Sequence, residues 1–445
     1  MPDNVTILLI FLALTFDYLN GFHDAANSIA TVVGTRVLTP RMAVLWAAFF
    51  NFIAFLIFGT HVAGTIGKGI IDPAIVDKSV IAATLIAASL WDLITWYYGI
   101  PTSSSHALIG GMLGAALAKV GGIGVVWAGI GKTLLFMLLA PLIGMFVGVL
   151  ICIIVYWSVH RSSPRHVDKW FRRGQLVSAA AYSLGHGGND AQKTMGIIFV
   201  LLIAGGYLLP TPMRGVEVRE QTTGAEVRLV VASVAPGSAA AEAGLAEGDE
   251  IAAIEVEDSK TGVRTMDKFE SNVEVVDPNT GVRTKKTVRS IKKAWEAFHK
   301  VKEGQELVMT VSRAGTPVPI RGKRSSDIPL WIVLSCHAAM GLGTLGGGWR
   351  IVATMGQKLT PLKPVDGFCA ELAGAMTLFG TGQLGIPVST TQTITGSIVG
   401  VGAIKRFSAV RWGVAARVIW AWVLTIPVSA VISILAYVLI RSIAG

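Results

Sequence analysis

Asp24 and Asp190 are carboxylates set inside long apolar runs, in the related segments GFHDAAN (Gly21–Asn27) and GGNDAQK (Gly187–Lys193). A carboxylate within a membrane segment is expensive and by default functional. Asn27, three residues after Asp24, offers a side-chain oxygen to a cation. The matching position after Asp190 is Lys193, which would repel a cation and pair with Asp190 or with an anionic substrate. His23 and His186 flank the acids and can relay protons. Two His and two Asp also admit a metal site. For a membrane histidine, however, hydrogen bonding between helices is the commoner role, and no resident metal or cofactor is expected.

A second pair of segments supplies hydroxyls. Gly99–Ala118 reads GIPTSSSHALIGGMLGAALA and Gly385–Lys405 reads GIPVSTTQTITGSIVGVGAIK. In each, a proline should end an incoming helix and a Ser/Thr triplet should cap the next one. The triplets are Ser103, Ser104, Ser105 and Ser389, Thr390, Thr391. Free N–H groups at a helix start attract anions, and hydroxyls add donors without charge. Capping alone explains most isolated Ser/Thr residues at helix starts. Duplication behind the same Gly-Ile-Pro lead instead favours two tips that together cradle a tetrahedral oxyanion. Carboxylates beside an anion repel it unless a proton or cation intervenes, and that repulsion can itself be the coupling. An acceptor carboxylate would also take the O–H of hydrogen phosphate, which sulfate lacks at neutral pH.

The elements that must position these groups are membrane helices. Of 445 residues, 52% are apolar and only 15% charged, against roughly 25% in an average soluble protein. Apolar spans run over about 4–34, 43–66, 79–119, 125–157, 175–209, 327–349, 365–404 and 412–441. Basic clusters follow spans one, four, six and seven: Arg36 and Arg41; Arg161 to Arg173; Arg350, Lys358 and Lys363; Lys405, Arg406 and Arg411. All fall on one side if spans three and seven are re-entrant hairpins and both termini lie outside. Lys68, Lys78 and Lys119 depart from that rule. The net charge of +10 is then the positive-inside bias rather than a nucleic-acid surface. Cys152, Cys336 and Cys369 lie in or beside apolar spans without metal spacing. Met1–Thr6 lacks a basic leader, so the first span reads as an uncleaved helix.

The expected fold is a polytopic α-helical membrane protein of two inverted-topology repeats with re-entrant hairpins. Residues 1–160 form the first repeat, 161–174 a basic cytoplasmic linker, and 175–210 with 327–445 the second repeat. Between its parts lies a soluble insert, 213–326, which holds 17 of the 28 acidic and 18 of the 38 basic side chains. VVASVAPGSAAAEAGLAEGDEIAAIEV (Val230–Val256) resembles a PDZ domain, with helical spacing at Ile291–Val301 and the strand-and-turn ELVMTVSRAGTPV beyond. PDZ folds bind extended chain ends. Here an interruption at Asp258–Lys286 departs from the pattern, and the carboxylate-binding loop would have to be Met213–Val216. A peptide ligand and a purely structural role weigh equally.

GFHDAANSIATVVGTR and GHGGNDAQKTMGII, with GIPTSSSH and GIPVSTTQ, resemble the inorganic phosphate transporter (PiT) family over about 1–210 and 327–445. The resemblance implies a phosphate symporter. Its substrate and coupling residues would be Asp24, Asn27, Asn189 and Asp190 with the two hydroxyl triplets, and Gln392 completes the second motif. Sodium-coupled members carry a second Asn where this chain has Lys193. The Gln192-Lys193 pair is more similar to a bacterial low-affinity branch, which implies proton coupling, carriage of phosphate partly as a metal complex, and the inner membrane. The lipid bilayer and phosphate are the expected partners; a homodimer is admitted and nucleic acid is not. Sodium-coupled phosphate transport and sulfate transport on the same scaffold are the alternatives. An intramembrane protease is disfavoured: no His-Glu-x-x-His occurs and no serine is paired with a base. The chain is expected not to be an enzyme.

Overall fold

The computed structural model describes residues 3–72, 75–204, 216–223, 226–234, 241, 244–257, 264–268, 270–276, 283–289, 306–313, 316–323 and 328–444. The chain divides into two units, Met1–Gly205 with Ile328–Gly445, and Gly206–Asp327.

The first unit is helical. Before the insert come α1 (Asn4–Gly34), α2 (Pro40–Ile53), α3 (His61–Gly69), α4 (Lys78–Tyr98), α5 (Ser104–Val120), α6 (Trp127–Val159) and α7 (Pro164–Ala204). After it come α8 (Leu330–Gly346), α9 (Trp349–Ala353) running into a π turn at Thr354–Lys358, α10 (Pro364–Gln383), α11 (Thr390–Lys405) and α12 (Trp412–Ala444). Among the described residues α1, α4, α5, α6 and α12 are long and apolar enough to cross a membrane. The α8–α9 pair makes a sixth candidate, bent by 62°. The apolar run 43–66 is two helices, α2 and α3, where the sequence suggested one span.

Runs 79–119 and 365–404 each break once, as the motif repeat implied, but glycine rather than proline ends the incoming helix. Gly99 and Gly385 adopt φ of 66° and 63°, the left-handed conformation that glycine enters without steric cost. Ile100 N–H returns to the Thr95 carbonyl and Gly99 N–H to Trp96. Ile386 N–H and Gly385 N–H do the same to Thr381 and Gly382, at 2.9–3.1 Å throughout. Both ends are therefore the same Schellman cap. Pro101 and Pro387, two residues on, only keep the helix from resuming.

The outgoing helices pack through matching glycines. A Cβ on Gly110 or Gly114 of α5 would lie 2.6 Å from the Ile426 carbonyl oxygen or 2.1 Å from that of Ala430, both in α12. On α11, a Cβ on Gly396 or Gly400 would lie 2.1 or 2.5 Å from the Pro141 or Met145 carbonyl oxygen of α6. Small residues let membrane helices touch backbone to backbone. The long Pro-containing helices α6 and α12 each receive the hairpin of the other repeat. Gly114→Ala should therefore force α5 and α12 apart and lower stability by about 1–3 kcal/mol, read as a lower melting midpoint in detergent. Gly64→Ala, with nothing within 4 Å of its Cβ, is the control expected to be neutral.

The second unit is a β structure. Its strands are β1 (Val216–Thr223), β2 (Glu226–Val234), β3 (Glu250–Glu257), β4 (Arg264–Lys268), β5 (Glu270–Val276), β6 (Arg283–Arg289), β7 (Glu306–Arg313) and β8 (Thr316–Lys323). They pair in the order β5-β6-β2-β3-β7-β8, with β1 on β2 and β4 on β3. The interruption at Asp258–Lys286 contains β4, β5 and the start of β6. Arg313 grips Asp249 with two contacts of 2.7 Å, and this charge-assisted fork holds the Asp249 carboxyl below its ordinary range. The helix expected at 291–301 lies outside the described residues, as does most of the candidate carboxylate loop at 213–216.

Candidate functional site

Asp24 on α1 and Asp190 on α7 are both buried, as are the two hairpin tips. The repeat seen in sequence reappears as a repeat of contacts. Ser104 Oγ, second of the first triplet, lies 2.9 Å from Asp24 Oδ2; Thr390, second of the other, donates to Asp190 Oδ2 at 2.9 Å. The third hydroxyls cross to the opposite signature: Asn27 Nδ2 donates to Thr391 Oγ1 at 2.9 Å, and Lys193 Nζ donates to Ser105 Oγ. Each hairpin tip thus binds the acid of one signature and the residue three positions after the acid of the other.

The first hydroxyls do something else. Ser103 Oγ and Ser389 Oγ accept from the N–H groups of His106 and Gln392 at 3.3 and 3.2 Å. They are N-caps, so their acceptor capacity serves their own helices.

Lys193 holds three oxygens: a carboxylate oxygen of Asp190, the Ser105 hydroxyl and the Val388 carbonyl at 3.1 Å. Its whole side chain is buried, an arrangement tolerable only because the charge is paired and its donors are used. Asn27 on the other side keeps a buried Oδ1 with no partner. Gln192, beside Lys193, turns away from the site. Its Oε1 accepts from Val62 and Ala63 N–H at 2.9 and 3.3 Å and so caps α3.

The histidines differ as well. His23 Nδ1 meets Asp24 Oδ1 at 2.6 Å and its Nε2 meets Thr95 Oγ1 at 3.0 Å. His186 Nε2 stands 3.3 Å from Asp190 Oδ2, its Nδ1 is 3.1 Å from Ser28 Oγ, and its ring stacks on Tyr182. Ligand atoms of Asp24, His186 and Asp190 lie within 4.8 Å of one another. At that spacing one cation can be held between the two carboxylates and the imidazole. Asn189 donates to the Gly185 and Leu378 carbonyls and keeps a buried, unpartnered Oδ1; both amide atoms of Gln392 are buried and unpartnered too.

Three site residues escaped sequence reading. Asn20 Oδ1 accepts from Ser104 at 2.5 Å. It sits one helical turn before Asp24, where the repeat aligns it with His186, and that alignment could have found it. Tyr182 O–H donates to the Thr390 carbonyl at 3.0 Å, and the Val388 carbonyl on Lys193 is backbone and carries no sequence signal. Glu371, a further buried acid, accepts from Thr31, Gln175 and Ser178 at 2.6, 2.9 and 2.5 Å, joining α10 to α1 and α7.

The signature of the phosphate transporter family matches residues 20–433. A probable low-affinity inorganic phosphate transporter of Rhizobium meliloti is 45% identical, the match covering 96% of this chain and 94% of that one. Its counterpart in Bacillus subtilis is 34% identical over 99% of this chain and 98% of its own. A solved structure, the sodium-dependent phosphate transporter, superposes with a TM-score of 0.66 over 99% of this chain and all of that one. At 21% identity it speaks for the fold. Family and relatives are transporters, not enzymes, which disposes of the protease alternative. Matched along nearly its whole length, the chain belongs to the phosphate transporter family.

Proposed function

We propose that this protein is a symporter that brings inorganic phosphate across the bacterial inner membrane together with a proton, the two inverted repeats rocking about the hairpin tips. The observation that carries the proton assignment is Lys193. A carboxylate, a hydroxyl and a backbone carbonyl around its ammonium are the oxygen set a sodium ion would take. A tethered cation occupies that place in one half of the site.

Hydrogen bonding around Asp24 points the same way. Ser104 has one hydroxyl proton but lies within reach of two acceptors, Asn20 Oδ1 and Asp24 Oδ2. Both contacts are satisfied together when Asp24 carries a proton on Oδ2 and donates it to Ser104. A protonated Asp24 no longer repels phosphate, so loading the proton and loading the anion favour each other.

Phosphate then docks on Ser104, Ser105, Thr390 and Thr391 with Asn27, Asn189 and Gln392 turned toward it. Ser103 and Ser389 hold the helix starts that present their N–H groups. A divalent metal travelling with phosphate would sit between Asp24, His186 and Asp190. In the same reading the insert is a PDZ-like domain on the periplasmic side, where both termini also lie, and a peptide ligand and a homodimeric assembly belong to it.

The test is labelled-phosphate uptake into proteoliposomes with a proton or a sodium gradient imposed separately and sulfate as competitor. Accumulation on the proton gradient alone is the expected result. A strict sodium requirement would mean that Asp24, Asn27 and Asp190 build a sodium site despite Lys193. Sulfate accumulation without phosphate uptake would overturn the substrate.

A further inference from the structure

Two short helices, one from each repeat, meet the hairpin tips through the same contact. Thr65 on α3 donates to the Gly385 carbonyl at 2.8 Å, and Thr354, in the turn that follows α9, donates to the Gly99 carbonyl at 2.8 Å. Each hydroxyl also lies 3.3 Å from the carbonyl four residues back in its own helix, His61 or Arg350. Gly99 and Gly385 are the left-handed caps of the incoming helices, so those helices do not use their carbonyls. The pairing is crossed: α3 of repeat one holds the tip of repeat two, and α9 of repeat two leads into the contact with the tip of repeat one.

Each short helix also starts beside the opposite signature. Gln192, two residues after Asp190, accepts from the N–H groups of Val62 and Ala63 at the start of α3. The Phe22 carbonyl, two residues before Asp24, accepts from Gly348 N–H at the start of α9, at 3.0 Å. From there the two segments lead to opposite ends of α1. The chain beyond α3 reaches Lys78 at the start of α4, which pairs with Asp3 at the start of α1. The turn beyond α9 brings the Gly356 carbonyl oxygen to within 2.6 Å of where a Cβ on Gly34, the last residue of α1, would lie. α1 has 31 residues, about 45 Å of helix, so the two threonine contacts stand between the site and opposite faces of the membrane.

We propose that Thr65 and Thr354 are latches that position the hairpin tips and release in turn, Thr65 from Gly385 to open the site to the periplasm and Thr354 from Gly99 to open it to the cytoplasm. The inference rests on the rocking repeats and the orientation proposed above. A donor with two acceptors in reach suits this work. When a tip withdraws, the hydroxyl turns to the carbonyl of its own helix, so no donor is stranded, and water entering the opened path takes up the glycine carbonyl. The two latches are unequal. Arg350 donates to the Tyr97 carbonyl at 2.5 Å and lies over the rings of Trp96 and Tyr97, whereas His61 stands in the corresponding place before Thr65. The cytoplasmic latch is the firmer one.

The test measures half-saturation for phosphate exchange in right-side-out and inside-out vesicles that hold the full-length protein, at equal pH on both sides. Thr65→Val removes the periplasmic latch and biases the protein toward its outward-open form. Half-saturation is expected to fall for periplasmic phosphate and to rise for cytoplasmic phosphate, by about fivefold, the worth of one hydrogen bond. Thr354→Val and Arg350→Gln should shift both values in the opposite sense. Thr65→Ser and Thr354→Ser keep the hydroxyl and should match the unaltered protein. Thr65→Ala and Thr354→Ala should repeat the valine result, and they replace it where a valine variant does not fold. Shifts in the same sense for both latches, or no shift, would overturn the assignment, because a mere loss of packing has no side. Opposed shifts with the faces exchanged would support the latches and overturn the orientation. An unaltered protein that exchanges no phosphate would overturn the transport reading, and this inference with it.

Discussion

Lys193→Met should be among the most damaging single substitutions in the chain. It removes the ammonium that bridges Asp190, Ser105 and the Val388 carbonyl while leaving Asp190 fully buried. Breaking a buried ion pair from one side costs about 3–5 kcal/mol, because the remaining charge is stranded. The melting midpoint of purified protein should fall accordingly. Asp190→Asn combined with Lys193→Met should recover most of that stability, since neutralising both partners removes the stranded charge, yet should not recover uptake. Lys193→Asn is more informative still. It restores to the second half the amide found at Asn27, and it leaves Asp190, Ser105 and Val388 free to take a cation. Phosphate uptake by this variant is expected to become sodium-stimulated. Single and double variants melting at the same temperature would show that Lys193 is not the partner on which Asp190 depends.

What the sequence made legible was set by which interactions repeat. Two signatures and two Gly-Ile-Pro lead-ins were enough to align Asp24 with Asp190 and to anticipate helix breaks at the tips. The break itself was misassigned to Pro101 and Pro387, because the left-handed φ of Gly99 and Gly385 is a backbone property that the letter G only permits. Crossed contacts, Asn27 to Thr391 and Lys193 to Ser105, join residues 364 and 88 positions apart, and no local pattern encodes them. Gln192 shows the opposite hazard. Adjacent to Lys193 in the motif, it points along a different helix face and caps α3, since neighbours on a helix diverge by about 100°. The separation of α2 from α3 had a signal in the polar interruption Gly59-Thr60-His61, where α3 begins, but three residues inside a long apolar run were read as part of one span.

Asp24→Asn and Asp190→Asn should separate two jobs that a carboxylate beside an anion can do. A full charge about 5 Å from bound phosphate, in surroundings of effective dielectric near 20, repels it by about 3 kcal/mol, roughly two decades in affinity. If Asp24 serves coupling, an isosteric amide mimics its protonated form. Phosphate binding to Asp24→Asn should then be as tight as, or tighter than, that of the unaltered protein and lose its pH dependence, while proton-driven accumulation falls to background. Titration calorimetry across a range of pH, set beside uptake, reads both. If Asp24 instead accepts the O–H of hydrogen phosphate, the amide presents a donor in its place. Binding would weaken, and discrimination against sulfate would weaken with it. Asp190→Asn should behave differently because Lys193 stays charged: its freed ammonium turns to phosphate, binding tightens and release becomes the slow step. Coupled uptake at the unaltered rate in both variants would remove the two acids from the mechanism altogether. The contacts argue against that outcome, since each acid is bonded to the hydroxyl of a hairpin tip. A tip that must release its acid to grip an anion, and regain it when the anion leaves, links proton state to substrate occupancy without any further moving part.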